Sequence, residues 1–366
     1  MRHEQVNKGQ VELRGVSKSY GSVDALIDAT LTVRADESVA ILGPSGSGKS
    51  TMLGILAGFI EADAGDVLFD GHRMNDVPTH KRDIGMVFQR YALFPNQTVF
   101  ENLAFPLRIR NRPDVEIRRS VTEILELVGL SQHCERYPAA LSGGQAQRVA
   151  LARALVFTPR VLLMDEPLGA LDRQLRTGLQ VEIRRIQRSA GVPSIYVTHD
   201  QEEAMHLADR IVLIHEGRIV ADDNPKSLYH HPRTVWSARF LGSACILEVQ
   251  CTGSETGDRI AVAGTGAEGV CTDVHGLGAS EGVLGLVLRP EEGRVMNEEE
   301  KPEEGVTVEG TVLLSAFLGA RQSVILRCLD GTEISVEISG RDAAPEQGAR
   351  IRCFWPAHAA AVAELS

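Results

Sequence analysis

One stretch limits this chain more than any other. Gly43-Pro44-Ser45-Gly46-Ser47-Gly48-Lys49-Ser50 follows the apolar run Ser38–Leu42 and opens a segment rich in Leu, Ile and Met. A G-x-x-x-x-G-K-[ST] spacing with a strand before it and a helix after it is a phosphate-binding loop. The glycines let the backbone curl, so that successive N–H groups face phosphate oxygens. The following helix adds the positive end of its dipole. Lys49 is placed to reach the β- and γ-phosphates, Ser50 to ligate Mg2+, and Thr51 to add a hydroxyl contact. The motif names a nucleoside triphosphate as ligand and leaves open what its energy is used for.

The flanking pattern is α/β. Val161–Met164 and Ser194–Val197 read as buried parallel strands, and Val11–Val16 alternates like an edge strand. Leu171, Leu175, Leu179, Ile183 and Ile186 recur at helical spacing until Gly191 and Pro193 stop the run. Residues 89–141 read as a mostly helical insert with a helix over 114–130. After about Phe240, short β-rich runs separated by glycines take over at Val283–Leu288, Val306–Leu314 and Ser323–Cys328. The expected division is 1–240, with a helical subdomain at about 90–160, followed by a β-rich domain over 241–366.

The strand at 161–164 ends in Asp165-Glu166. Such a strand delivers both carboxylates beside the phosphate loop, Asp165 to hold Mg2+ through water and Glu166 to polarise an attacking water. Leu141-Ser142-Gly143-Gly144-Gln145 opens another helix with an S-x-x-Q capping box. Its glycines leave the backbone bare at an anion-binding helix end.

The phosphate loop, LSGGQ, LLMDEP and Val197-Thr198-His199-Asp200 together resemble the ATP-binding subunits of ABC transporters. The resemblance implies an α/β P-loop NTPase fold with a RecA-like core, an antiparallel β edge and a helical subdomain. It also implies that two copies face each other, each ATP lying between the phosphate loop of one and Ser142, Gly143, Gly144 and Gln145 of the other. By the same resemblance Tyr20 stacks on adenine, Gln89 senses Mg2+ and the attacking water, His199 contacts the γ-phosphate, and Asp172 communicates across the dimer. Two positions depart from the family pattern: Gly169 stands where Ser is usual, and Ala146 where Gln is frequent. Phe240-Leu241-Gly242-Ser243, Leu288-Arg289-Pro290-Glu291 and Phe317-Leu318-Gly319 resemble the OB-like C-terminal regulatory domain of importer ATPases. The stretch 179–205 is most similar to the polyamine and ferric-iron branch, with phosphonate, sulfate and sugar import as alternatives. The implied partners are a second copy, two transmembrane permease subunits and, indirectly, an extracytoplasmic solute-binding protein. ATP and Mg2+ are the implied nucleotide and metal.

Composition fits this reading. Residues 241–366 hold nine basic and 20 acidic groups and so carry the whole net charge of −11, much of it in the run 291–304, which reads as a solvated loop. No basic footprint for nucleic acid is present. The six cysteines form no C-x-x-C pair, which argues against a disulfide framework or a zinc site. The polar stretch 1–10 lacks a signal-peptide core, and no apolar run is long enough to span a bilayer. The expected location is the cytoplasmic face of a bacterial inner membrane. Three other readings remain: a non-transport ABC ATPase acting on DNA or ribosomes; a phosphate-loop kinase, which would need neither LSGGQ nor His199; and a C-terminal domain that acts as a metal or oxyanion receptor.

Overall fold

Ser38–Leu42 is buried at every position and forms the central strand of the first domain. In the computed structural model, residues 9–168, 173–253, 260–264, 267–271, 282–297, 300 and 304–365 are described. The chain divides into residues 1–225 and 226–366.

The first unit opens with β1 (Val11–Tyr20), β2 (Val23–Val33), β3 (Ser38–Leu42) and α1 (Lys49–Ala57). Next come β4 (Ala64–Phe69), β5 (His72–Arg73), β6 (Ile84–Val87), α2 (Val99–Ile109), α3 (Asp114–Leu127) and α4 (Gly143–Leu155). It closes with β7 (Val161–Asp165), α5 (Arg173–Ala190), β8 (Ser194–Thr198), α6 (Gln201–Leu207), β9 (Arg210–His215) and β10 (Arg218–Asp223). A four-stranded antiparallel sheet has the order β2-β1-β4-β5, and a six-stranded sheet the order β10-β9-β3-β8-β7-β6. In the larger sheet β9, β3, β8, β7 and β6 pair in parallel, and β10 closes it antiparallel to β9. The two sheets enclose one core in which Leu13, Val33, Val39, Ile41, Met52, Leu56, Leu163 and Val197 meet. Burying aliphatic side chains of this size stabilises by about 1.5–3 kcal/mol each.

The antiparallel edge and the helical insert of α2, α3 and α4 match expectation. Two details do not. Val11–Val16 was expected at an edge, yet β1 lies between β2 and β4. Its alternation reports one buried face, which an inner antiparallel strand has as well. The helix expected over 114–130 ends at Leu127, with Val128 as C-cap and Gly129 at φ +66.

The second unit holds α7 (Pro225–His230), α8 (Val235–Phe240) and an antiparallel array, β11 (Cys245–Gly253), β12 (Ile260–Gly264), β13 (Ala267–Cys271), β14 (Gly282–Leu288), β15 (Arg294–Val295), β16 (Gly305–Phe317), β17 (Arg321–Arg327), β18 (Glu333–Ser339), β19 (Arg350–Pro356) and β20 (Ala360–Ala363). The expected boundary at 240/241 thus lies later than the structural one. Val235 and Ala238 pack with Val287, Ala361 and Ala363, so α8 covers β14 and β20 and belongs with the strands. The acidic run is also less free than a solvated loop. Glu291 accepts from the Tyr229 hydroxyl, Glu292 lies 3.2 Å from His230 Nδ1, and Glu300 pairs with Arg294. Residues 298–299 and 301–303 of the run lie outside the described residues. Cys134, Cys245, Cys271, Cys328 and Cys353 are not disulfide-bonded, and among the described residues no metal-binding cluster occurs.

Arg289 is the polar centre of this unit. It is 2% exposed and donates to the carbonyls of Tyr229, Ala238 and Ser243, with its guanidinium 3.9 Å from the Tyr229 ring centroid. Burial holds its pKa below the usual arginine value. Arg289→Ala leaves those carbonyls without donors and should lower the stability of this unit by about 3 kcal/mol. Both tryptophans, Trp236 and Trp355, lie in it, so a urea titration of the full chain followed by tryptophan fluorescence reads that loss directly. An unchanged midpoint would count against this role.

Candidate active site at the ends of the parallel strands

Four parallel strands bring the expected groups to one edge. β3 runs into the phosphate loop, β8 into His199, β7 into Asp165 and Glu166, and β6 into Phe88 and Gln89. Their ends are level: Leu42 pairs with Thr198, Asp165 with Val197, and Val87 with Met164. Ligands of open parallel sheets sit beyond these carboxyl ends.

The phosphate loop is shaped by glycine. Gly46 and Gly48 have φ +80 and +106, and a Cβ on Gly48 would lie 2.2 Å from the Ala25 carbonyl oxygen. Pro44, Gly43 and Ser47 complete the turn, with the Ser47 amide donating to the Pro44 carbonyl at 3.2 Å. Lys49 Nζ donates to the Gly43 and Pro44 carbonyls at 2.9 and 2.7 Å. Burial lowers the Lys49 pKa, while Glu166 and Asp165 oppose that shift. Ser45, Gly46 and Ser50 are exposed and Thr51 is half-buried at the start of α1. Among the described residues the buried Ser47 hydroxyl has no hydrogen-bond partner.

Glu166 is held at both oxygens. Gln89 Nε2 donates to Oε2 at 2.6 Å, and His199 Nδ1 lies 2.7 Å from Oε1. The Glu166 backbone is left-handed at φ +44, and its N–H donates to the Val197 carbonyl at 2.9 Å. Gln89, Glu166 and His199 therefore meet in one cluster. Asp165 is half-buried, and its carboxyl is pushed above the usual range by burial and by Glu166, with Lys49 opposing. Hard oxygen donors on Asp165, Ser50 and Gln89, beside the Glu166 carboxylate and Lys49, fit Mg2+ chemistry.

Among the described residues, Tyr20, Ser142 and Gln145 make no side-chain hydrogen bond to this cluster. Tyr20 ends β1 and is 50% exposed, with Lys18 Nζ 5.5 Å from its ring centroid and bonded to Asp63 at 2.6 Å. Ser142 caps α4. Its hydroxyl accepts from the Gln145 amide at 3.3 Å, and its own amide donates to Gln145 Oε1 at 2.9 Å. Gln145 Nε2 also lies 3.1 Å from His133 Nε2. Among the described residues, the side-chain hydrogen bonds of Ser142 and Gln145 remain within the helical insert, and Ser142 and Gly143 face outward. A Cβ on Gly144 would meet Leu179 Cδ1 at 3.0 Å, so this glycine serves packing of α4 on α5 as well as backbone access. Asp172 and Gly169 lie outside the described residues.

Sequence reasoning missed Arg153. Its guanidinium donates to the carbonyls of Ala92 and Tyr91, in the loop just beyond Gln89. The available signal was an arginine set between Ala152 and Ala154 in an apolar helical run.

Comparison with known proteins agrees with this geometry. Residues 26–169 match the ABC transporter family model, and residues 286–362 match that of the TOBE domain. The spermidine/putrescine import ATP-binding protein PotA of Clostridioides difficile is 40% identical over 345 residues, 92% of this chain and 96% of that one. The chain belongs to the ABC transporter ATP-binding family. The protein of the same name from Haemophilus influenzae is 48% identical over 248 residues, 68% of this chain and 67% of its own. Among solved structures, the dimeric ATP-binding cassette MJ0796 bound to ADP and Pi is 35% identical, with a TM-score of 0.52, covering 59% of this chain and 98% of that one. These matches bear out the expected family, fold class and ATPase chemistry, and residues 286–362 of the β-rich C-terminal unit form a TOBE domain. Among the described residues no helix is long and apolar enough to cross a membrane.

The glycine geometry yields a direct test. Gly48→Ala places a methyl against the Ala25 carbonyl at a left-handed position. Nucleotide affinity, measured with a fluorescent ATP analogue, should fall by about tenfold or more. The urea midpoint of the tryptophan-bearing unit should stay unchanged. Retained affinity would refute the loop assignment.

Proposed function

We propose that this chain powers a polyamine importer. It works as a homodimer on the cytoplasmic face of a bacterial inner membrane, beneath two transmembrane permease subunits that a solute-binding protein supplies from outside. The grouping of Gln89, Glu166 and His199 beside the phosphate loop carries this reading. The names of the Clostridioides difficile and Haemophilus influenzae relatives favour spermidine and putrescine over ferric iron, phosphonate, sulfate or sugar.

In this reading the amides of Gly43–Gly48 and Lys49 bind the β- and γ-phosphates, and Tyr20 takes the adenine face. Ser50, Gln89 and Asp165 would hold Mg2+, which neutralises phosphate charge when bound. Glu166 orients the attacking water, held in place by His199 and Gln89, and His199 also meets the γ-phosphate. Ser142, Gly143, Gly144 and Gln145 of a second copy cover the phosphates from the far side and exclude water. The outward-facing, internally bonded end of α4 suits such a use. Asp172 carries communication between the copies. ATP closes the dimer, hydrolysis opens it, and the loop after Gln89 hands that motion to the permease.

Glu166→Gln should bind ATP, lose turnover by about 100-fold or more and accumulate as an ATP-bound dimer on gel filtration. Ser142→Arg should leave monomer ATP affinity intact and abolish that dimer. Wild-type turnover in the first variant, or an undiminished dimer in the second, would sink the composite site. Vesicles carrying the permease should take up labelled spermidine or putrescine in an ATP-dependent way. Uptake confined to ferric iron or a phosphonate would overturn the polyamine assignment alone.

A further inference from the structure

The loop that follows Gln89 is held in a conformation that its residues rarely adopt unaided. Tyr91 and Ala92 are consecutive non-glycine residues at φ +59 and +48. The turn is tight: the Tyr91 amide donates to the Phe88 carbonyl at 2.8 Å and the Ala92 amide to the Arg90 carbonyl at 2.6 Å. Among the described residues the buried Tyr91 hydroxyl has no hydrogen-bond partner, so no side-chain hydrogen bond of Tyr91 fixes the turn.

What holds it is Arg153. One guanidinium nitrogen donates to the Ala92 carbonyl at 2.8 Å and the other to the Tyr91 carbonyl at 2.9 Å. The guanidinium lies 5.5 Å from the Phe94 ring centroid. Among the described residues Arg153 makes no ion pair, so its fork is given to these two carbonyls and to that ring. Farther along, Asn102 of α2, 0% exposed, fixes Phe94 by accepting from its amide at 2.9 Å and donating to its carbonyl at 3.2 Å. The left-handed turn is therefore clasped from α4 and from α2.

Arg153 stands in the last turn of α4, whose N-cap is Ser142. The helix places the two about 16 Å apart on one rigid element. From Arg153 the bonds continue to Tyr91 and Ala92, from there by two covalent links to Gln89, and from Gln89 Nε2 to Glu166 at 2.6 Å. Helices displaced as rigid bodies carry such a contact with them.

We propose that Arg153 is a positioning residue that ties the Ser142 helix to the Gln89 loop. When the N-terminus of α4 engages nucleotide on a second copy, the pull on this clasp sets the hold on Glu166 in its own copy. The inference rests on the composite site proposed above and deepens it: occupancy of one site informs the other through Arg153.

The test measures ATPase rate against ATP concentration for the purified full chain and for Arg153→Ala, Arg153→Lys, Ala92→Gly and the Arg153→Ala/Ala92→Gly double variant. Misplacing a catalytic group by a fraction of an ångström lowers rate steeply, so Arg153→Ala should reduce kcat about tenfold with monomer ATP affinity within about twofold of wild type. Its Hill coefficient for ATP should fall toward one. Lysine keeps the charge but lacks the fork, and should recover little. Glycine adopts a left-handed conformation without help, so Ala92→Gly, which relieves one of the two left-handed positions, should restore part of the lost kcat in the Arg153→Ala background. A residue that merely stabilised the fold would lower thermal stability and gain nothing from that glycine. Wild-type kcat and cooperativity in Arg153→Ala, or no rescue by Ala92→Gly, overturns the proposal. Glu166→Gln and Ser142→Arg run alongside: if either behaves as wild type, the composite site itself has failed. If both behave as expected while Arg153→Ala is silent, only the Arg153 link has failed.

Discussion

The register of the parallel sheet is the constraint on which the rest depends. Leu42 lies beside Thr198, Val197 beside Asp165, and Met164 beside Val87. Because of that alignment the residues that follow each strand emerge at one level: the glycine loop, His199, Glu166 and Gln89. A slip by one residue would turn Asp165 to the other face and separate Glu166 from its two partners. The strands that fix the alignment are short and apolar, and β3 and β8 are buried at every position. The hydrophobic core thus positions the site as well as stabilising the fold.

Charge at this edge is arranged with little slack. Lys49 is held by the Gly43 and Pro44 carbonyls; burial lowers its pKa, and the carboxylates of Glu166 and Asp165 counter that shift by favouring the charged ammonium. Asp165 faces burial and Glu166 together, which raises its affinity for a proton or for a cation that can take a proton's place. Glu166 is engaged at both carboxylate oxygens, Oε2 by the Gln89 side-chain amide at 2.6 Å and Oε1 by His199 Nδ1 at 2.7 Å. Its backbone is left-handed and is pinned by the N–H bond to the Val197 carbonyl. A carboxylate engaged at both oxygens has a fixed direction, which suits the water-orienting role proposed for Glu166.

Much of this was legible in the residues. The glycine loop, the acidic strand end, His199 and the capped LSGGQ helix each carry a local signature, because each function needs a particular backbone shape: left-handed glycines, a buried strand with a polar terminus, a capping box. The strand limits around 161–165 and 194–198 came within a residue, since apolar runs bounded by polar residues mark buried strands well. What escaped was long-range or ambiguous in period. The inner place of β1 could not be read, because alternation reports a face and says nothing about the number of neighbours. The domain boundary shifted because α8 is amphipathic for strands far along the chain, β14 and β20. Arg153 escaped for the same reason: its partners are backbone carbonyls sixty residues earlier, and carbonyls leave no mark in a sequence.

The two anion-facing helix ends of the first domain are built for different relations to a ligand. The start of α1 is framed by positive-φ glycines and by a buried lysine, so its own chain supplies charge and amides together. The start of α4 has no lysine in its first turn, satisfies its cap with Ser142 and Gln145, and turns Ser142 and Gly143 outward. A helix end of the second kind adds dipole and hydroxyl to a phosphate whose charge has already been met elsewhere. It can cover a triphosphate but is poorly equipped to capture one. A chain that carries one end for capture and one for cover therefore has reason to pair with its own copy, and the same helix that presents the cover reaches back, through Arg153, toward the groups that hold Glu166.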